Sequence, residues 1–336
     1  MRSPATLHPL AHPAALLDRF ARAEVVVVGD FVADEYVFGE TERISREAPV
    51  LIVRYERTEI RAGCAGNAAL NLAALGVRVR AVGAVGDDAL GSRLLEALAA
   101  SGVEVSGILR LPERATESKT RILAGGRSTR RQQIVRVDRG PKGPLSASAT
   151  LRVIRELKRA ARGARAVLAS DYGSGLIGAE ALEALRALKE AGTPLCGDSR
   201  YRLREFVGFS MVKPNEPELE AASGVSLENG GIERAARALL RRLGCEELLV
   251  TRGRNGLSLF RRGVAPVHIP AYGREEAVDV TGAGDTVAAA YTAAVAAGAE
   301  PPLAARLANV AGALVVQKAG TATVSVEELR AELSGG

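Results

Sequence analysis

Asp279-Val280-Thr281-Gly282-Ala283-Gly284-Asp285, followed by a run of small residues over 286–297, is the stretch on which the reading of this chain turns. A strand-like approach over 276–280 meets a glycine-rich turn, and the run behind it reads as a helix. The N–H groups of Gly282, Ala283 and Gly284 then lie at a helix start, where backbone donors lack intrahelical partners and the helix dipole is positive. Such an end binds anions, phosphate above all. Asp285 falls in the first helical turn, where a carboxylate could take the proton of a hydroxyl attacking that phosphate. Phosphoryl transfer is the chemistry this pattern suggests. A capped helix with a glycine turn is the plain alternative for a bare G-x-G-D, and the flanking Asp-x-Thr narrows the choice.

The surrounding chain is compatible with an enzyme of that kind. Its 336 residues suffice for one large α/β domain or two smaller ones with a sizeable core. Hydrophobic residues make up 47% and charged residues 25%, and no apolar run of about 18 residues lacks a charge, which argues for a globular protein without a membrane span. Residues 1–24 carry Pro4, His8, Pro9, His12 and Pro13 and no apolar secretory core, so a loose leader over 1–23 and a cytoplasmic location are expected. Cys64, Cys196 and Cys245 are far apart, without disulfide or zinc spacing. The net charge of +6 comes from scattered residues, mostly arginine, the lysines being Lys119, Lys142, Lys158, Lys189, Lys213 and Lys318. Aromatic residues are only 4%, which argues against a nucleic-acid partner and leaves a general attraction for small anions.

Strand and helix patterns alternate along the chain. The apolar run 24–28 ending in Gly29-Asp30 reads as a buried parallel strand, the run 68–75 as a helix closed by Gly76, and 79–85 as a further strand. Beyond a Gly/Pro linker at 138–148 the series continues with helices at 149–161 and 179–191 and strands at 166–169, 194–196, 211–212 and 247–251. This alternation implies a mostly parallel sheet covered by helices. Residues 37–60 and the pair 116–122 and 132–137, around Gly125-Gly126, read instead as exposed strands of one small accessory sheet.

Several constellations fall at the carboxyl ends of these strands, where ligand-facing loops gather. Asp30 and Asp34 suit a polyhydroxylated ligand, or simply cap turns. Gly63-Cys64-Ala65-Gly66-Asn67 opens a helix and offers a second N-terminus and an amide side chain, or plain helix punctuation. Asn215-Glu216-Pro217-Glu218 is close to a capping box, with water-mediated contact to Mg²⁺-bound phosphate as its functional alternative. Thr251-Arg252-Gly253-Arg254-Asn255-Gly256 closes a strand and could accept nucleotide phosphates. A rival lies at Gly173-Ser174-Gly175-Leu176-Ile177-Gly178, a G-x-G-x-x-G with Asp198 twenty residues further on, which on paper is a dinucleotide fingerprint. It sits mid-chain behind an intervening Asp171-Tyr172 and leaves the turn at 282–285 unexplained. His8, His12 and His268 cannot build a triad or a metal cage.

Taken in order, Gly29-Asp30 with Asp34, the 63–67 turn, 215–218, Thr251-x-Gly253 and 279–285 resemble the ribokinase-like (PfkB) carbohydrate kinases over residues 24–330. Residues 43–50, Arg131-Gln132-Gln133, Ser170-Asp171-Tyr172 and 318–325 look most like the D-glycero-β-D-manno-heptose 7-phosphate kinases of ADP-heptose synthesis. The chain departs from that pattern at Cys64, where a second glycine is usual, and at Ser174 and Ser199-Arg200, where lysines are usual. The resemblance implies an α/β ribokinase-like fold over 24–336, with lid strands from about 35–62 and 112–137 that also form a homodimer contact. It implies transfer of the ATP γ-phosphoryl group to a hydroxyl of a sugar or sugar phosphate, the heptose 7-phosphate first. Ribose, fructose 1-phosphate or a nucleoside are the other acceptors, and a catalytically silent sugar-binding regulator is the alternative of another class. No nucleotidyltransferase domain follows Gly336, so a stand-alone kinase is expected. By the resemblance Asp285 is the base and Gly282, Ala283 and Gly284 stabilise the developing charge. Asp30, Asp34, Gly63, Asn67, Gln133 and Asp171 position the sugar, and Lys119 or Arg121 meets its distal phosphate. Asn215, Glu218, Thr251, Gly253, Gly256 and Asn309 serve ATP, with Glu218 and Asp198 holding Mg²⁺ and a monovalent cation as a further implied ion.

Overall fold

The apolar run at 25–28 lies in the third strand from one edge of a nine-stranded sheet in the computed structural model, which describes residues 13–126, 131–141, 143–273 and 277–334. In chain order the elements are α1 (Pro13–Phe20), β1 (Glu24–Gly29), β2 (Phe31–Ile44), β3 (Leu51–Cys64), α2 (Ala65–Ala74), β4 (Arg78–Gly86), α3 (Ala89–Ala100), β5 (Glu104–Leu111), β6 (Ser118–Gly125) and β7 (Gln132–Arg139). Then follow α4 (Ala147–Ala160), β8 (Ala166–Asp171), α5 (Ala179–Glu190), β9 (Leu195–Ser199), β10 (Met211–Val212), α6 (Glu216–Ser223), α7 (Ile232–Leu243), β11 (Glu247–Thr251), β12 (Leu257–Arg261), β13 (Val267–Ile269), α8 (Ala283–Ala296), α9 (Pro301–Val315) and α10 (Val326–Ser334). The large sheet runs β13-β12-β11-β10-β9-β8-β1-β4-β5, parallel from β11 through β5 and antiparallel at the β12 and β13 edge.

Both faces of this sheet are covered, which is why its strands are nearly all apolar. Side chains alternate across a strand, so Val25 and Val27 join one core with α2, α8 and α9, while Val26 and Val28 join a second with α4, α5 and α7. The strands approach closely at Gly29, where a Cβ would lie 2.0 Å from the Ser170 carbonyl oxygen of β8. Gly29→Ala is therefore expected to lose stability at the upper end of the roughly 1–3 kcal/mol typical of overpacking, read as a lowered urea midpoint with unchanged slope.

A separate four-stranded sheet, β3-β2-β6-β7, stands off the large one. β2 leaves the core along its own length, buried from Phe31 to Asp34 and exposed by its end, so Asp30 and Asp34 sit at the junction of the two sheets. The accessory sheet expected from the alternating patterns is thus present.

Two expectations change. Of the leader at 1–23, residues 1–12 lie outside the described residues, but 13–20 form α1, which buries Leu16, Leu17 and Phe20 against the core instead of being loose. The strand expected at 276–280 is absent over 277–280, with 274–276 outside the described residues. Val278 and Asp279 both donate their N–H to the Val316 carbonyl, and the Asp279 carboxylate accepts from Thr281 N at 2.9 Å and Gly320 N at 2.9 Å. A local turn with side-chain partners replaces strand pairing there.

Candidate active site

Two helix N-termini converge on one carboxylate. α8 starts behind Gly282, whose φ of 79° lets the chain turn sharply into the helix, and α2 starts behind Cys64. Asn67 in the first turn of α2 donates through Nδ2 to Asp285 Oδ2 at 2.9 Å, and Tyr172, just past β8, donates through its hydroxyl to Asp285 Oδ1 at 2.7 Å. Asn71 Nδ2 holds the Asn67 oxygen at 3.2 Å, and Thr286 Oγ1 donates to Asn71 Oδ1 at 3.0 Å, so the amide cannot freely flip. Asp285 is buried, and desolvation, with help from Asp198, lifts its pKa to about 6 against the pull of Asn67, Tyr172 and Lys213. Burial pushes the Tyr172 hydroxyl well above its ordinary value, so it remains a donor.

The amide cradle is only partly as expected. Ala283 N is engaged by the Val280 carbonyl at 3.2 Å, because the turn closes on itself. Gly282 N and Gly284 N have no partner among the described residues.

On the accessory-sheet side, Asp30 Oδ2 accepts from Tyr172 N at 2.7 Å and Ser174 N at 3.2 Å, while its buried Oδ1 has no partner among the described residues. Desolvation raises its pKa to about 6, with the two amides pulling it down. These bonds settle the rival glycine motif: the 173–178 loop does join parallel β8 to α5, but its Ser174 N is taken by Asp30 and its Gly173 N by Asp171, and Gly175 packs on Pro144, where a Cβ would lie 2.7 Å from the Pro144 Cα. Asp34 pairs with Arg121 and lies against Gly63, whose Cβ would be 2.5 Å from Asp34 Oδ2. Lys119 Nζ rests on Cys64 Sγ at 3.3 Å and over the Tyr172 ring at 5.3 Å, so it faces the Asp285 cluster. Arg61 and Arg121 both stack on Tyr36.

Two candidates stand apart. Asp171 is fully buried, its carboxylate taken by Ser199 Oγ at 2.7 Å and Gly173 N at 3.2 Å, so it holds the loop together and does not face a ligand. Gln133 is exposed on β7, the edge strand of the small sheet.

Asn215, Thr251, Gly253, Gly256 and Asn309 all line one cavity of about 800 Å³, which reaches Ala283 and Gly284 at the start of α8. Asn215 and Glu218 form a full capping box, Asn215 Oδ1 accepting from Glu218 N at 2.8 Å and Glu218 Oε2 from Asn215 N at 2.9 Å. Glu218 Oε1 stays outside that exchange, 3.7 Å from Arg200. Asp198 Oδ1 faces Lys213 Nζ at 3.0 Å, and the described residues contain no cluster of three groups that could hold a metal ion. Burial opposes the charge on Lys213, but the Asp198 and Glu218 carboxylates outweigh it and hold its pKa above the ordinary value. Sequence reasoning passed over Tyr172 and Asn71 as single residues, and over Lys213, whose only signal was a lysine in an arginine-rich chain directly behind a strand.

Residues 22–329 match the family described as pfkB family carbohydrate kinase. The chain belongs to that family. This pfkB chain is 41% identical over 318 residues to the bifunctional protein HldE of Pelobacter propionicus, a match covering 94% of the chain and 64% of that protein. It is 41% identical over 321 residues to the HldE of Methylococcus capsulatus, covering 95% and 66%. The chain thus spans about two thirds of the length of these relatives. Among solved structures, Arabidopsis thaliana ribokinase complexed with ribose and ATP superposes with a TM-score of 0.70 at 24% identity, covering 93% of this chain and 98% of that one. A carbohydrate kinase from Agrobacterium tumefaciens gives 0.67 at 26%, covering 93% and 97%. The pfkB chain is a carbohydrate kinase with a ribokinase-like α/β fold, as its motifs imply. Among its described residues no helix is long and apolar enough to cross a membrane.

Proposed function

We propose that the chain transfers the γ-phosphoryl group of ATP to a hydroxyl of a sugar phosphate, D-glycero-D-manno-heptose 7-phosphate first, giving the 1,7-bisphosphate used in ADP-heptose synthesis. The observation that carries this reading is Asp285, buried between Asn67 and Tyr172 at the start of α8, one residue from the wall of an 800 Å³ cavity. ATP fits the cavity, with Asn215, Thr251, Gly253, Gly256 and Asn309 around it and its γ-phosphate at the free amides of Gly282 and Gly284. A Mg²⁺ ion bound with the nucleotide would neutralise phosphate charge. Glu218 fits a metal-bound water through its uncapped Oε1, whereas Asp198 is committed to Lys213.

The sugar lies between the junction carboxylates and α2, with Asp30 Oδ1, Asp34 and Asn67 as its polar contacts. Lys119 and Arg121, with Arg61 beside them, supply the positive charge for its phosphate. The relatives named HldE and the resemblance of 43–50 and 318–325 to heptose 7-phosphate kinases support this acceptor over ribose or a nucleoside. Edge strand β7 exposes Ile134, Val135 and Val137, and the opposite edge of the small sheet exposes Val50, Leu51 and Tyr55 at and just ahead of β3, apolar side chains suited to contact with a second copy of the chain.

Turnover of ATP against heptose 7-phosphate, ribose, fructose 1-phosphate and a nucleoside, with identification of the product, tests the reading; absence of phosphorylated product from every acceptor would remove it. Because Asp285 must be ionised to accept the proton, kcat/KM is expected to fall about tenfold per pH unit below about pH 6.

A further inference from the structure

Cys64 is the only residue other than glycine with a positive φ among the described residues. At φ 57° and ψ −127° it holds a backbone conformation that glycine adopts freely and an L side chain resists, and the heptose 7-phosphate kinases that the chain resembles usually have glycine there. Strain of this kind persists only where the surroundings over-determine the side chain, and it gathers at functional sites. The thiol is buried, and its sulfur accepts from Lys119 Nζ at 3.3 Å. Lys119 in turn lies over the ring of Tyr172, whose hydroxyl holds Asp285. Of the three cations placed around the acceptor's phosphate, two have carboxylate partners: Arg121 is paired with Asp34, and Arg61 with Glu59 at 3.2 Å. Lys119 has the thiol as its hydrogen-bond acceptor and no ion-pair partner among the described residues.

Burial pushes the Cys64 thiol well above its ordinary pKa against the pull of Lys119, so the sulfur stays neutral. A carboxylate in that place would aim the ammonium and cancel its charge. A neutral thiol aims it through one N–H and leaves the charge and two further donors to a ligand. We propose that Cys64 is a positioning residue that sets the acceptor preference of the kinase, its sulfur holding the Lys119 ammonium at the acceptor site so that a phosphorylated sugar is selected over its unphosphorylated form. The inference rests on the function proposed above. It gives the departure from glycine at this position a purpose: the strained backbone is retained because the side chain it carries fixes the one acceptor-site cation that no carboxylate neutralises.

Cys64→Gly suits the test, because glycine takes this backbone conformation without strain and the variant should fold. With heptose 7-phosphate as acceptor its KM is expected to rise about tenfold while kcat changes less than about twofold. With the unphosphorylated heptose neither constant should move, so the preference for the phosphorylated acceptor falls about tenfold. Cys64→Ser, whose hydroxyl also accepts from an ammonium, should keep that preference within about threefold of wild type. In a Lys119→Met background, which lacks the ammonium, Cys64→Gly should lower the preference no further. Wild-type preference in Cys64→Gly or in Lys119→Met, a Cys64→Ser loss equal to that of the glycine variant, or a further tenfold loss in the Lys119→Met background would each overturn the proposal. So would a fall in kcat with both acceptors alike, the mark of a merely structural role. A wild-type chain that yields product from no acceptor would instead remove the proposed function itself.

Discussion

Asp285→Asn folds and loses about 10²–10⁴-fold in kcat, the range a positioned general base supplies. The amide can occupy the same place: its oxygen faces Asn67 Nδ2, and its nitrogen donates to the Tyr172 hydroxyl oxygen, which exchanges its donor role for an acceptor role. What disappears is the site that takes the acceptor proton. The variant should also be more stable than wild type at neutral pH. Raised from 3.8 to about 6 in the folded chain, the Asp285 carboxyl favours folding when protonated, and that contribution is lost as pH rises through about 6. A shift of this size corresponds to on the order of 3 kcal/mol at pH 7, and Asn does not incur it. The expected signature is a melting temperature above wild type at pH 7–8, a gap that closes below about pH 4, and a flat activity profile where wild type declines. Unchanged turnover, or a variant less stable than wild type at pH 8, would show that the carboxylate is neither base nor desolvated.

Gly282→Ala attacks the same centre through the backbone. At φ 79° an L side chain costs about 1–2 kcal/mol, and the new Cβ would lie 2.5 Å from Asn67 Nδ2. The amide must move, breaking its 2.9 Å bond to Asp285 and shifting the turn whose amides face the cavity. A fall in kcat of about 10²–10³-fold is expected, the cost of a misplaced oxyanion donor, together with a lower melting temperature. Gly284→Ala is a useful comparison, since its Cβ would meet only Lys213 Nζ, at 3.4 Å. If Gly282→Ala kept wild-type kcat despite the predicted loss of stability, the alignment of Asn67 on Asp285 would carry no catalytic weight.

Much of this architecture was legible in the residue order. Parallel strands such as β1 are apolar throughout because both faces are covered, and helices such as α5 follow a 3.6-residue period, so each declares itself locally. The cavity residues were legible for a related reason: capping boxes and glycine turns at the ends of parallel strands are short, local patterns. The misreadings share a cause. Residues 277–280 carry an extended pattern but are engaged by Val316 and Gly320, remote in sequence, and α1 is held by contacts with α8 and α10, far down the chain.

By itself the sequence determined the layered parallel sheet, the accessory strands and the helix start carrying Asp285, because hydrophobic period and turn chemistry act over a few residues. Only the tertiary structure decided how the charges are used. It set Asn67 and Tyr172 on Asp285 across 218 and 113 residues of chain, withdrew Asp171 into a loop brace, and gave Asp198 to Lys213. Charge strength and hydrogen-bond choice depend on burial and on neighbours brought together by folding, and neither is encoded in any short stretch.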